Sequence, residues 1–96
     1  IEKSALAKVA NQIRELKGVN ASFVIGRIKQ NEIAISARSD GSINVQLLME
    51  KLGGGGHFGM AAASFPGSTV AVVENKLLDA LATYLDEAKT DLGGLR

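Results

Sequence analysis

The hydrophobic positions in the first half of the chain repeat with two different periods. Apolar residues recurring every three or four positions predict a first helix over residues 3–17, ended by Gly18. Two stretches rich in branched and aromatic residues follow, 22–28 and 33–38. The polar residues between them indicate a turn, so this part of the chain is predicted to be a helix followed by a β-hairpin.

The second half of the chain returns to the helical period. Apolar spacing predicts a short helix over residues 45–52, with Asn44 as its N-cap. A run of small apolar residues, 60–65, is predicted as a third strand. A long apolar stripe predicts the last helix over 70–88, and we expect residues 92–96 to form a loose tail.

The predicted element order is α-β-β-α-β-α, which is typical of the α/β (α+β) class. The 96 residues suffice for one domain, with its core over about residues 20–88. The second strand, short helix and third strand are interpreted as a β-α-β unit with parallel strands and a right-handed crossover. We therefore expect a small mixed sheet with helices packed against it.

Composition narrows the class of protein. The chain has 11 Lys+Arg against 10 Asp+Glu, a net charge of +1, so no overall basic field favours nucleic acid or an anionic membrane. Cysteine is absent, which excludes disulfides and thiolate chemistry. No apolar stretch has the length of a membrane span or the layout of a signal peptide. Because the first residue is Ile1, we expect a piece of a longer protein.

Four consecutive glycines, Gly53 to Gly56, precede the single histidine, His57. Each glycine costs roughly 0.5–1 kcal/mol of conformational entropy relative to alanine. Gly53 is explained as the residue that ends a helix. For the other three we predict a functional use, because a bare backbone can form an anion-binding concavity or let a ligand lie on the main chain.

A phosphate at this loop needs positive side chains, because the preceding helix presents its partially negative C-terminus. Two candidates are His57 and Arg38. Strand alternation places Arg38 on the same face as the small side chains of Ala34 and Ser36. Both would lie at the carboxyl edge of the predicted sheet, where α/β folds bind ligands. Further hydrogen-bond donors could come from Ser36, Ser39 and Asn44.

Each of these features also has a purely structural interpretation. The glycines could be a flexible linker, and an isolated histidine or strand-end arginine is often a surface residue. Apolar residues after the loop are more often core than base-stacking platforms, and an Ala-Ala pair more often packs closely than supports a ligand. We assign Phe23 and Phe65 to the core, and for Phe58 and Met60 we favour the core over a base-stacking role.

The ordered combination of motifs resembles the C-terminal DHH-associated domain of the DHH phosphoesterases. The motifs are Ser36-Ala37-Arg38-Ser39, Asn44-Val45, the glycine run with His57, and Ala61-Ala62. Three residues separate His57 from Ala61. This spacing is similar to that of the membrane-anchored branch of the family, which hydrolyses cyclic di-AMP in Gram-positive bacteria. Oligoribonuclease-like relatives usually have two residues between the histidine and the Ala-Ala pair, and a glycine after the pair. Ala63 stands in the place of that glycine here.

The resemblance implies that substrate binding and hydrolysis belong to two different domains. This chain would bind substrate, while a separate DHH domain, absent from this sequence, would hold two manganese ions and perform hydrolysis. Carried over by position, Arg38 and Ser39 match the strand-end phosphate contact, and Gly54, Gly55, Gly56 and His57 match the substrate loop. We expect no catalytic residue and no metal site in this chain, which lacks the Asp-His-His motif and should be inactive alone.

The same resemblance implies the partners and the location. The partners are a cyclic dinucleotide or short oligonucleotide, the intramolecular DHH domain and a second copy in a homodimer of the parent. The domain would be cytoplasmic, in a membrane-anchored bacterial parent, without touching the membrane itself. The alternative is an RNA-binding or oligoribonuclease-type DHH-associated module, which the near-zero net charge disfavours.

Overall fold

The computed structural model describes residues 1–94, with side chains described through residue 89. Within that range the predicted α-β-β-α-β-α order and the α/β class are confirmed, with one short strand added inside the glycine run. The elements are α1 Lys3–Arg14, β1 Ala21–Lys29, β2 Glu32–Ser39, α2 Val45–Lys51, β3 Gly55–His57, β4 Met60–Pro66 and α3 Val70–Gly94.

The four described strands form one sheet in the order β1-β2-β4-β3, and every neighbouring pair is antiparallel. The predicted parallel pairing of β2 with the strand at 60–65, and with it the mixed sheet, is therefore wrong. The chain reverses once more than predicted, because β3 and β4 form a hairpin around Phe58-Gly59. Strands β2 and β3 do run in the same direction, but β4 lies between them.

One face of the sheet carries the core. Ile33, Ile35 and Ala37 of β2 point to this face and are fully buried beneath α2 and α3. Phe65 belongs to the same cluster and Phe23 packs against it, so their assignment to the core is confirmed. The remaining buried members are Val45, Leu48, Met49, Ala61, Ala63, Val73, Leu77 and Ala80.

The opposite face is covered only in part. Helix α1 packs over β1 and β2, where Leu6 and Ala10 are buried and the Ser22 hydroxyl donates to the Ala10 carbonyl at 2.8 Å. Gly26 permits the close approach, because a Cβ there would lie 2.7 Å from Leu6 Cδ2. Strands β4 and β3 therefore remain uncovered on this face, which we call the open face.

The helix ends differ from the prediction at two places. Helix α1 stops at Arg14 instead of residue 17, because Leu16 is exposed and gains nothing from a further turn. Helix α3 continues to Gly94, so residues 92–94 of the predicted loose tail are helical. Residues 95 and 96 lie outside the described residues. Over residues 1–94, no helix combines the length and apolar character needed to cross a membrane.

Candidate functional site

Strand register brings the two predicted cations into one row on the open face. Arg38 of β2 pairs with Met60 of β4, and Met60 pairs with His57 of β3. Paired residues of antiparallel strands point to the same face, so all three side chains lie on the open face. Arg38 and His57 thus share one edge of the sheet, as predicted, but two strand spacings of about 5 Å separate their backbones.

The Arg38 guanidinium is held in place by its neighbours. Its Nε donates to the side-chain oxygen Oδ1 of Asn11 on α1 at 2.6 Å, and Nη1 donates to the backbone carbonyl of Ala37 at 2.9 Å. The residue is only 8% exposed, and burial lowers the pKa of the guanidinium from its ordinary value. Arginine stays protonated in proteins and has five N–H donors, so three remain for an anion. A fixed, partly desolvated guanidinium is suited to bidentate phosphate contact.

The first half of the glycine run completes the end of α2. The Gly53 N–H donates to the Glu50 carbonyl at 3.1 Å, and the Gly54 N–H donates to the Met49 carbonyl at 2.7 Å. Gly53 has a φ of +88°, the left-handed conformation that ends many helices. These two N–H groups are therefore occupied within the fold, and an anion at this loop must use other donors.

The other glycines differ in the space around them. A Cβ on Gly54 would overlap the Ala62 carbonyl oxygen and lie 2.7 Å from Ala63 Cα. A Cβ on Gly56 would overlap the Met60 carbonyl oxygen and lie 2.5 Å from Ala61 Cα. Close approach of the β3 and β4 backbones therefore explains these two glycines without any ligand. Gly55 differs, because a Cβ there would meet nothing within 4 Å.

His57 lies at the end of β3 and is exposed. Its Nδ1 accepts a hydrogen bond from the Gly59 N–H at 3.3 Å, across the hairpin turn. In the neutral ring the proton then resides on Nε2, which can donate to a phosphate oxygen. The Phe58 ring packs edge-on against the imidazole, with centroids 5.9 Å apart.

We predict that His57→Ala leaves the fold intact. The exposed ring contributes one long hydrogen bond and no core contact, so the free energy of unfolding should change by less than about 1 kcal/mol. Thermal unfolding followed by circular dichroism measures this, with Lys29→Ala as an exposed control on β1. A fall in melting temperature well beyond that of the control would assign His57 a structural role.

The loop from Ser39 to Asn44 supports the same edge. The Ser39 hydroxyl accepts hydrogen bonds from the backbone N–H groups of Gly41 and Ile43, and its own proton is available for donation. Asn44 caps α2 as predicted, accepting from the Leu47 N–H at 3.2 Å. Hydrogen bonds from the Ser42 hydroxyl, the Asn20 amide and the Ser42 N–H hold the pKa of the exposed Asp40 carboxyl well below its usual range.

Two apolar residues near the row, Phe58 and Met60, differ from their predicted environment. Phe58 is 59% exposed and Met60 is 45% exposed, so their assignment to the core is wrong. The physical reason is position, because Phe58 lies in the hairpin turn and Met60 points to the open face. Ala61 of the Ala-Ala pair is buried against Gly56 as expected for close packing, whereas Ala62 is exposed on the open face.

A cleft of about 460 Å³ lies on the open face between α1 and the glycine run. Its floor is formed by small side chains of β2 and β4, among them Ala34, Ser36, Ala62 and Ser64. One wall is α1, and the other is the backbone at Gly53 and Gly54. Neither Arg38 nor His57 lines the cleft. Their row is adjacent to the row of Ser36, Ala62 and Gly55.

The described residues contain no group of three His, Cys, Asp or Glu side chains close enough to hold a metal ion. These described residues therefore do not fit a two-metal centre, which requires several such ligands. What the site offers is a fixed guanidinium, a histidine donor and a hydroxyl beside an open cleft. These groups can bind and orient an anion.

Comparison with known proteins finds similar sequences in several bacteria. The chain is 44% identical over 84 residues to the cyclic-di-AMP phosphodiesterase GdpP of Geobacillus thermodenitrificans, covering 88% of this chain and 13% of that protein. It is 47% identical over 78 residues to the cyclic-di-AMP phosphodiesterase PdeA of Listeria monocytogenes, covering 81% and 12%. It is 44% identical over 75 residues to a membrane protein–large ribosomal subunit bL9 fusion protein of Aster yellows witches'-broom phytoplasma, covering 78% and 9%.

The chain thus spans between 9% and 13% of the length of these three relatives. The sequence pattern of the DHHA1 domain matches residues 1–90, almost the whole chain. The arginine, the capped short helix, the glycine run and the Ala-Ala pair all lie within the matched range. On this match, the chain belongs to the DHHA1 domain family.

Proposed function

We propose that this chain is the substrate-binding domain of a phosphodiesterase that hydrolyses cyclic di-AMP. The observation that carries the proposal is the fixed guanidinium of Arg38, in one row with His57 beside the glycine run. The names of two relatives support cyclic di-AMP as the substrate, since both are cyclic-di-AMP phosphodiesterases. Because Arg38 and His57 lie at the same edge of the sheet, the proposal assigns both to one phosphodiester group.

Each residue of the site has a distinct role in the proposal. Arg38 binds two phosphate oxygens, and His57 donates from Nε2 to orient the group. Ser39 donates its hydroxyl proton, and the bare backbone at Gly54, Gly55 and Gly56 lets the sugar-phosphate approach the sheet. Holding the phosphodiester in a fixed orientation lowers the entropic cost of reaction.

Hydrolysis itself is proposed to take place against a DHH domain. That domain would hold the two manganese ions and supply the chemistry of a metal-activated water. This chain would contribute binding and orientation only, and is expected to be inactive alone. The cytoplasmic location, the membrane-anchored parent and a homodimer stay predictions of the family resemblance.

An NMR titration tests whether this chain binds the substrate. Cyclic di-AMP is expected to cause saturable shifts in the amides of residues 53–57 and in the Arg38 side chain, whereas a short oligoadenylate binds more weakly. The affinity should depend on salt with a slope of about one or two released ions. Shifts with the oligoadenylate alone, on a slope of several ions, would favour the RNA-binding alternative. Silence with both ligands would contradict binding by this chain.

Replacement of Asn11 tests whether Arg38 must be held from α1. In Asn11→Ala the Nε of Arg38 loses its acceptor, so we expect its NMR resonance to shift and the affinity for cyclic di-AMP to fall about tenfold. Asn11→Asp keeps an acceptor at the same place and should restore the position of the resonance. Gln12→Ala, an exposed change on the same helix, is the control. An unchanged Nε resonance in Asn11→Ala would show that the helix does not position Arg38.

A further inference from the structure

Strand β1 has one edge that is free along most of its length within residues 1–94. It is the outermost strand of the sheet and pairs only with β2 there. Proteins usually shorten such an edge or interrupt it with charge or proline, because a long free edge pairs with other chains. The other outer strand, β3, has only three residues. Strand β1 has nine, and residues 21–25 include no charged residue and no proline.

Every second residue of β1 points its main-chain groups to this edge. The Asp40 N–H donates to the Asn20 carbonyl, so the groups of Asn20 and of alternate residues after it face β2. The groups of the residues between them face outward. The Arg27 carbonyl is one of these, and the Ile1 nitrogen donates to it at 3.2 Å. The outward positions that remain for a partner strand are Ala21, Phe23 and Ile25.

Helix α3 presents an apolar flank beside the same edge. Leu78 and Leu85 are each 55% exposed, and their spacing of seven residues places them on one flank. The other flank, with Lys76, Asp79 and Thr83, borders α2. Helix α2 packs on β3 and β4, whereas α3 packs on β1. The leucine flank is therefore the one that lies on the side of β1, away from the rest of the sheet.

The charges on the leucine flank complement those of a second copy of the chain. Glu74 and Lys89 lie four residues before and four residues after the leucine pair, so they share its flank, and both are exposed. Helix α3 begins beside the β1–β2 turn and runs to the other end of the sheet, where the Tyr84 hydroxyl accepts from the Asn44 N–H. A copy related by a two-fold axis runs the opposite way, which places Glu74 of each copy beside Lys89 of the other.

We propose that the free edge of β1 and the leucine flank of α3 form a two-fold interface with a second copy of this chain. The two β1 strands pair antiparallel about Phe23, so that Ala21 of each copy meets Ile25 of the other. This register provides about six main-chain hydrogen bonds and leaves the Arg27 carbonyl to Ile1. The sheet then continues from one copy into the other, and the leucine flanks meet beside it. The interface does not depend on the proposed function.

The size of the interface sets the expected affinity. Stable interfaces bury about 1,200–2,000 Å² of surface in total. One strand segment and about two turns of helix from each copy lie at the lower end of that range. We therefore expect a dissociation constant of about 1–100 μM for the dimer.

Sedimentation equilibrium of this chain from about 1 μM to 1 mM tests whether the dimer forms. The mean mass should rise from that of one chain to that of two and stop there, because a two-fold interface closes. Amide hydrogen exchange locates the contact. The N–H groups of Ala21, Phe23 and Ile25 should be protected only at high concentration, whereas β2 protects those of Ser22 and Val24 at every concentration. A monomer throughout, an open-ended assembly, or a dimer with unprotected outward amides would overturn the proposal.

Charge reversal tests the antiparallel arrangement of the two helices. Glu74→Lys places like charges beside each other twice, so the dissociation constant should rise about tenfold. The double variant Glu74→Lys, Lys89→Glu restores opposite charges and should return it to within about twofold of the wild type. Asp86→Lys makes the same change of charge on the solvent side of α3 and is the control. A double variant no tighter than Glu74→Lys would contradict this arrangement.

Ala21→Pro tests the pairing of the two β1 strands. Proline is tolerated on an edge strand where the N–H faces solvent, so the ladder with β2 should persist. The lost N–H removes one hydrogen bond from each copy, and the dissociation constant should rise about tenfold. The melting temperature of the dilute monomer should stay nearly unchanged. Ala21→Val keeps the N–H and is the control, and equal affinities of the two variants would exclude pairing through β1.

Discussion

Replacement of Gly54 by alanine is expected to lower the melting temperature of this chain by on the order of 10 °C or more. The added Cβ would overlap the Ala62 carbonyl oxygen and lie 2.7 Å from Ala63 Cα, both in the backbone of β4. Backbone of a paired strand cannot move aside as a flexible side chain can. Relief would require breaking the β3–β4 pairing or the Gly54–Met49 hydrogen bond that joins the loop to α2.

Gly55→Ala is the matched control for this prediction. It makes the same chemical change one residue later, where a Cβ meets nothing within 4 Å and φ is not in the left-handed region. The free energy of unfolding should change by less than about 0.5 kcal/mol. Urea unfolding of both variants, monitored by circular dichroism, gives the comparison. Equal destabilisation by the two changes would mean that the tight approach of β3 to β4 does not exist in solution.

Gly55→Ala has a second expected effect that concerns binding. The new methyl group would point to the open face beside Ala62, at the entrance to the cleft. The variant should therefore fold normally and bind cyclic di-AMP less well. A stable variant with unchanged affinity would exclude close contact between the substrate and this part of the loop.

Arg38→Lys is expected to weaken binding of cyclic di-AMP by about 10- to 100-fold. Lysine keeps the charge but has no planar fork, so the bidentate contact with phosphate is lost. It also lacks the Nε that donates to Asn11, so nothing fixes the position of the ammonium group. Titration calorimetry measures the loss, and the remaining affinity should depend more steeply on salt.

The control for this change is Arg27→Lys. Arg27 lies on β1 and is exposed, so the same substitution there alters neither the sheet nor the row of Arg38, Met60 and His57. Its affinity should equal that of the wild type. If Arg38→Lys bound as well as this control, the geometry of the guanidinium would be irrelevant and only its charge would matter.

Local patterns in the sequence predicted the elements that depend on local contacts. The β1–β2 hairpin follows from two apolar stretches around a polar turn, and the N-cap of α2 follows from Asn44 before an apolar helix. Both features need only neighbouring residues. The core face of β2 was likewise predictable, since alternation alone separates Ile35 from Ser36.

Features that depend on distant pairing were missed. Strand β3 consists of two glycines and His57, residues with little preference for strands, and it forms because β4 pairs with it. Missing it led to the wrong strand direction for β4. The contact of Arg38 with Asn11 joins residues 27 positions apart and has no sequence signature. Phe58 and Met60 were misplaced because an apolar side chain does not indicate which face it occupies.

The position of α1 has a practical consequence for how the domain is delimited. The motifs quoted for the family begin at Ser36 and the predicted core begins near residue 20, so a domain boundary near residue 20 would be a natural choice. A protein shortened to that point would retain all four described strands and every residue of the glycine run. It would lack the Asn11 acceptor and one wall of the cleft, and the Gly26 side of the sheet would be bare. Binding assays on such a trimmed domain would report weak affinity for a reason unrelated to its motifs.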